Sequence, residues 1–220
     1  MTTNWNEWHE AYLEPNSTLL RRLFVVQRMI REYCDAVHIG PVKVLSLCSG
    51  DGRDIVGAVA DHPRRDDIEG RLEERDTTLV QRARDNIHSA GIGGLSVRQG
   101  DAGKLDNVTD VLPVHLVLAC GIFGNIPDED VRTTIAALAH FGNIGLNVIW
   151  TRHRYDPDLT PLVRGWFRGA GFEEMEFVRV ADSHACVGRH VLVTEPRGEA
   201  PGGQIFQFFA DRVAALAAGS

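Results

Sequence analysis

The chain has 220 residues, 44% hydrophobic and 24% charged, a balance that suits one soluble globular domain and excludes wholesale disorder. Asp and Glu outnumber Lys and Arg by 30 to 23 for a net charge of −7. Gripping a phosphate backbone needs a basic surface, so the expectation is no nucleic acid among the partners.

The chain begins MTTNWNEWHEAY, polar and acidic, without the basic start or apolar core of a signal peptide. No apolar run reaches the ~20 residues that span a bilayer. A cytoplasmic protein with no membrane contact is expected. Trp5, Trp8, His9 and Tyr12 fall roughly along one side of a short helix. They read either as ordinary packing or as a lid in which residues 1–14 close over a cleft and Tyr12 touches the ligand. Asn16 or Ser17 can cap a following helix with apolar residues at Leu19, Leu20, Leu23, Phe24, Val26, Ile30 and Val37, ended by Gly40-Pro41. Together, about residues 1–40 form an N-terminal helical lid.

Val42 to about Cys48 is a strand of apolar β-formers that breaks into Ser49-Gly50-Asp51-Gly52 and then a helix through Ile55, Val56, Val59 and Ala60. DDIEGRLEE is a polar, weaker strand, expected near the middle of the sheet by its place in the order alone, and residues 77–90 make a helix stopped by Gly91. LSVRQGD and VHLVLACG are the next strands, and Pro127-Asp128 opens another helix. NIGLNVIW is a buried-type strand, followed by a helix over about 157–170 and by two strands, FEEMEFVRV and ACVGRHVLVTEP, with no helix between them. Alternating strands and helices closed by a hairpin predict an α/β fold: a doubly wound, mainly parallel sheet of seven strands with a C-terminal antiparallel hairpin. No linker splits it, so a single domain spans 1–220. The four cysteines are dispersed with no C-x-x-C pair, and no metal site is expected.

In such a sheet, ligands lie outside the carboxyl ends of the strands, where the strand order reverses. Four ends carry candidate residues. Cys48, Ser49, Gly50, Asp51 and Gly52 form a turn whose glycines admit a close ligand or simply a tight corner. The dinucleotide pattern G-x-G-x-x-G fails here, since Asp54 or Ile55 stands where its third glycine belongs. Glu74, beside Arg75, can accept from both hydroxyls of a ribose, or it belongs to a solvated charge run. Asp101, between Gly100 and Ala102, can accept from an adenine amine or cap a short helix. Cys120 and Gly121 close the fourth end, with Gly124 and Asn125 beyond.

One adenosine-bearing ligand would touch all four ends, and here the chain resembles the class I S-adenosylmethionine-dependent methyltransferases. VLSLCSGDGRD is similar to their first motif, EERDTTLVQRAR to the acidic strand-two motif, GDA to the adenine-side motif and LVLACGIFGNIPDED to the strand-four segment. The resemblance covers about residues 42–195. It implies a Rossmann-like methyltransferase fold, S-adenosyl-L-methionine as cofactor, and cofactor contacts from Tyr12, Cys48, Ser49, Gly50, Asp51, Gly52, Glu74, Arg75, Gly100, Asp101, Ala102, Cys120 and Gly121. Two positions depart from the family: Ser46 where an acid is usual, and Cys48 where a first glycine is usual. The missing acid commonly helps to hold the methionine amine, and Asp51 is the candidate substitute.

The fold dictates no fixed catalytic residue. His153 and Tyr155, at the mouth of the fifth strand, are the candidate bases. A surface histidine, its pKa depressed by Arg152 and Arg154, is the weightier reading of His153. The two arginines are candidates for holding an acidic substrate. The leading expectation is a methyltransferase acting on a small molecule. The alternatives are a cyclase or aminocarboxypropyl transferase using the same cofactor, and a cofactor-binding module without catalysis.

Overall fold

The computed structural model describes residues 14, 17–38, 40–196, 198–199 and 201–211. Tyr12 and the proposed 1–14 lid therefore lie outside the described residues, apart from Glu14. The first described helix, α1, spans Thr18–Ala36. Ser17 caps it by accepting the Leu20 N–H at 3.1 Å, which satisfies one of the donors orphaned at a helix start. Leu23, Val26, Met29, Ile30, Tyr33 and Cys34 form its buried face, while Phe24, one position off that face, is exposed.

The strands are β1 (Val42–Leu47), β2 (Ile68–Glu74), β3 (Leu95–Gln99), β4 (Leu116–Ala119), β5 (Asn147–His153), β6 (Phe172–Arg179) and β7 (Ala185–Leu192). They form one seven-stranded sheet in the order β3-β2-β1-β4-β5-β7-β6. β1 to β5 pair in parallel, and β7 runs antiparallel between β5 and β6. The helices α2 (Arg53–Val59), α3 (Thr77–Ser89), α4 (Asp128–Leu138) and α5 (Thr160–Gly169) complete the layers. Buried side chains of α1, α2 and α3 share one apolar cluster, and those of α4 and α5 share the other, so helices cover both sheet faces. The order reverses between β1 and β4, which opens a crevice at their carboxyl ends.

The sequence reading differs from this structure in three places. β5 starts at Asn147 and runs on to His153, because residues 143–146 form a turn that pairs back to β7 through Gly145. The helix expected from about 157 begins at Thr160, where Asp158 accepts the Thr160 N–H at 2.9 Å. β2, expected near the middle, lies second from the edge, yet Arg71, Glu73 and Glu74 are all buried. A fork of Arg71 onto Asp110 at 2.7 and 2.8 Å, with a further bond to the Asn107 carbonyl, makes burial of so polar a strand tolerable.

Past the hairpin, residues 201–211 return across the carboxyl end of the sheet. Ile205 donates to the Gly103 carbonyl at 2.8 Å, Leu105 to that of Gly203 at 3.0 Å, and Phe209 to that of Asn125 at 3.1 Å. Ile205 and Phe206 are buried in the core beneath this strap.

Candidate active site

A cavity of about 410 Å³ opens at the switch point. Its wall includes Cys48, Ser49 and Gly50 from the β1 loop, Glu74 and Arg75 from β2, Gly100, Asp101 and Ala102 after β3, and Cys120 and Gly121 after β4. Four separate strand ends thus meet around one space.

The β1 loop owes its shape to the backbone. Gly52 starts α2 with φ +73°, and a Cβ there would lie 2.6 Å from the Leu72 side chain. Cys48 takes the same left-handed conformation with φ 51°, at the place where the family resemblance called for glycine. Burial, then the nearby Glu74 carboxylate, pushes its thiol well above the ordinary range, so it stays protonated. Gly121, at φ +77°, has nothing within 4 Å of an added Cβ, which leaves its backbone open to close approach.

Glu74 binds the loops together. Its Oε2 accepts the Gly50 N–H at 2.8 Å, and Oε1 accepts those of Arg75 and Asp76 at 2.8 and 2.9 Å. Burial raises its pKa, and these three backbone donors pull it back down. A carboxylate has about four acceptor sites, so this one retains capacity for a ligand hydroxyl on the cavity side. Asp101 accepts the Gly103 N–H at 2.9 Å and so shapes its own turn, but it does not cap the short helix at Leu105–Asn107, whose N-cap is Lys104.

Asp51 and Gly52 are not part of the wall. Asp51 is buried, and its carboxylate meets the Arg53 Nε at 2.8 and 3.0 Å, so the loop's own arginine takes the acid expected to hold an amine. The sequence reading missed Arg22, Leu23 and Val26 of α1, Arg53 and Asp54 at the start of α2, and Phe208 of the strap, all of which line the cavity. An ion pair of Arg75 with Asp211 at 2.7 Å holds the strap at the cavity edge.

The candidate bases stand elsewhere. Neither His153 nor Tyr155 lines the cavity. His153 packs against Gly124, and burial followed by the Arg152 charge lowers its pKa. Tyr155 is 57% exposed, between the rings of His153 at 4.7 Å and His184 at 4.6 Å. Arg152 donates to the Phe123 carbonyl and pairs with Asp128 at 3.4 Å, and Arg154 donates to the Ser183 carbonyl at 2.9 Å. Both arginines are used internally, which corrects their reading as substrate clamps. Among the described residues, no group of His, Cys, Asp or Glu is arranged to hold a metal, and no helix is long and apolar enough to cross a membrane.

Residues 19–168 match the model of a family described as "Putative methyltransferase". No curated protein sequence matches the chain. The fold is similar to that of magnesium protoporphyrin IX methyltransferase from Synechocystis PCC 6803, solved with bound SAM: 12% identity, TM-score 0.65, 86% of this chain and 91% of that one. An O-methyltransferase family protein from Burkholderia thailandensis matches at 14% identity and TM-score 0.60, over 77% of this chain but only 57% of its own length. An RNA methyltransferase from Salinibacter ruber, in complex with S-adenosyl-L-homocysteine, matches at 21% identity and TM-score 0.51, over 80% and 95%. That last likeness overturns the exclusion of nucleic acid. Net charge is a sum over the whole chain, whereas a phosphate backbone needs only a local basic surface, so −7 does not decide the partner.

Proposed function

The chain belongs to the methyltransferase family whose model it matches, within the class I S-adenosylmethionine-dependent methyltransferases, and from that premise we propose that it methylates a small-molecule acceptor at the β1–β4 switch point. S-adenosyl-L-methionine is the cofactor. When bound, it supplies a methyl group already activated on a sulfonium.

The observation that carries the cofactor reading is the Glu74 carboxylate, fixed by three backbone N–H groups and still facing the cavity. In this reading Glu74 accepts from the ribose hydroxyls, while Arg75 closes that edge through its pair with Asp211. Gly100, Asp101 and Ala102 border the adenine, with Phe208 beside it. Cys48, Ser49 and Gly50 run along the ligand, and the open backbone at Gly121 with the neutral Cys120 thiol borders the sulfonium end. Alignment and exclusion of water are what these residues contribute, since an activated methyl asks chiefly for a well-oriented nucleophile. Leu23 and Val26 give this end an apolar wall, which favours a small acceptor. The likeness to an RNA methyltransferase supports RNA as the second reading.

Titration calorimetry with S-adenosylhomocysteine tests the cofactor site. Wild-type protein should bind, and Glu74→Ala should lose ~1.5–3 kcal/mol, roughly 10- to 150-fold, as expected for a charged hydrogen bond removed. Wild-type protein that binds no cofactor would overturn the reading. Transfer of labelled methyl to a metabolite extract supports the small acceptor, and transfer to total RNA instead would replace it.

A further inference from the structure

The cavity follows the strand order, from the β3 and β2 tips at one end to the β1 and β4 tips at the other. Neighbouring strands lie about 4.8 Å apart, so four tips span roughly 14 Å, enough for an elongated ligand. Glu74, Asp101 and Asp76, the last capping α3, stand at the β2–β3 end. At the opposite end stands another carboxylate, Asp54, in the first turn of α2.

Asp54 is only 8% exposed, yet it borders the cavity. Its Oδ1 accepts the Ile55 N–H at 2.7 Å. Among the described residues it makes no ion pair within 4 Å, although Arg22 lies near enough to act on it electrostatically. A buried carboxylate without a paired cation is costly in a folded protein, and the cost falls when a ligand brings the cation. The other acids are unsuited. Asp51 is engaged by Arg53, and position 46 holds a serine that is 1% exposed and outside the cavity wall.

Building on the methyltransferase reading, we propose that Asp54 receives the ammonium of the cofactor's amino-acid end, taking the place of the acid that Ser46 lacks. The surroundings match that end of the ligand. A zwitterionic amino acid needs an anion for its ammonium and cations or N–H groups for its carboxylate, and Arg22 and Arg53 border the cavity with Asp54. The nucleoside end carries no charge and lies against Ala102 and Phe208. Asp54 thus fixes the direction in which the ligand lies along the strand tips, with its sulfonium toward Cys120 and Gly121.

The test compares two ligands that share the nucleoside and thioether. S-adenosylhomocysteine carries the amino-acid end, and methylthioadenosine does not. Asp54→Asn keeps the shape and removes the charge. Calorimetry should show at least a 10-fold loss of S-adenosylhomocysteine affinity in D54N, with methylthioadenosine within 2-fold of wild type. Equal affinity of D54N and wild type for S-adenosylhomocysteine would overturn the proposal, as would an equal loss for both ligands, which would mean that Asp54 only shapes the loop. A second measurement needs no variant. The groups facing Asp54 are Arg22 from α1, Asp51 from the β1 loop and Cys120 from the loop after β4. Burial keeps the Cys120 thiol neutral between pH 5 and 7, so wild-type affinity for S-adenosylhomocysteine should rise through about pH 6, as Asp54 ionises, while methylthioadenosine stays level. A flat profile for both overturns the proposal. Wild-type protein that binds neither ligand would instead sink the methyltransferase reading itself.

Discussion

Across β1 to β4, the loops at the carboxyl ends carry carboxylates, glycines and cysteines that face one shared cavity. Across β5 to β7, side chains of similar polarity are spent on one another. Trp150 donates its indole N–H to His190 Nδ1 at 3.0 Å, and the His190 ring stacks on Phe167 with centroids 4.3 Å apart. Burial pushes His190 down to about 4, so it stays a neutral packing group at physiological pH. Arg164 pairs with Glu174 at 2.7 Å, and Arg189 donates to Asn147 at 2.9 Å. The difference follows from topology. Parallel strands deliver all their carboxyl ends to one edge, where the crossing order leaves a crevice. An antiparallel hairpin sends alternate ends to opposite edges and fills the space between its strands with its own side chains. Polar residues are functional candidates in the first half and cross-links in the second.

The largest expected effect lies within the cavity half and concerns ligand-free stability. Asp54 has a folded pKa of about 6, raised from 3.8 chiefly by burial. Between those values the folded protein holds a proton that the unfolded chain has released, so stability from this group rises as pH falls from about 6 toward 4. Above pH 6 the buried charge weakens the fold by an amount of order 3 kcal/mol. Asp54→Asn should therefore raise the urea midpoint of ligand-free protein at pH 7.5, and the advantage should vanish near pH 4. A variant less stable than wild type at pH 7.5 would mean that the charge is already compensated without a ligand, and the contrast between waiting and spent groups would narrow.

A smaller effect tests whether the β1 loop is set by its backbone. Cys48 sits at φ 51°, where an L-residue is strained, so Cys48→Gly should be more stable than Cys48→Ala by ~1 kcal/mol. Both variants lose the thiol, which isolates the backbone contribution. In most loops and in any helix the ranking runs the other way. Thermal melts showing Ala equal to or above Gly would remove the left-handed turn from the account of the site.

What the sequence made legible follows the same division. Strand tips were readable because glycines and carboxylates interrupt apolar runs at Ser49-Gly50, Glu74, Gly100-Asp101 and Cys120-Gly121, and parallel topology brings such tips together without further information. Asp54 was hidden because an acid in the first turn of a helix looks like an ordinary response to the helix dipole. Phe208 was hidden because residues 201–211 have no period; backbone bonds to Gly103 and Asn125, more than 80 residues earlier in the chain, fix the strap. The polar face of β2 was read as weak because the partner that buries Arg71, Asp110, lies 39 residues away. His153 and Tyr155 were placed correctly at the end of β5, but their surroundings depend on how the hairpin packs beside them, which no local pattern reports.

Those two residues give the smallest expected effect and the sharpest way to break the comparison. A general base contributes about 10²–10⁴-fold to a rate when it reaches the reacting proton. Tyr155 is exposed, held between two imidazoles and outside the cavity wall, so Tyr155→Phe should leave kcat/KM within about 2-fold and stability within ~0.5 kcal/mol. His153 packs closely on Gly124, and its removal should lower the melting temperature while leaving S-adenosylhomocysteine affinity of the folded protein unchanged. The pairing of readouts matters, because a loss of turnover alone could come from partial unfolding. A 100-fold fall in kcat for either variant, at full cofactor affinity and with an intact melting transition, would place a catalytic group in the hairpin half. The acceptor would then have to reach from Gly121 past Gly124 to β5, and the division between a cavity half and a scaffold half would no longer hold.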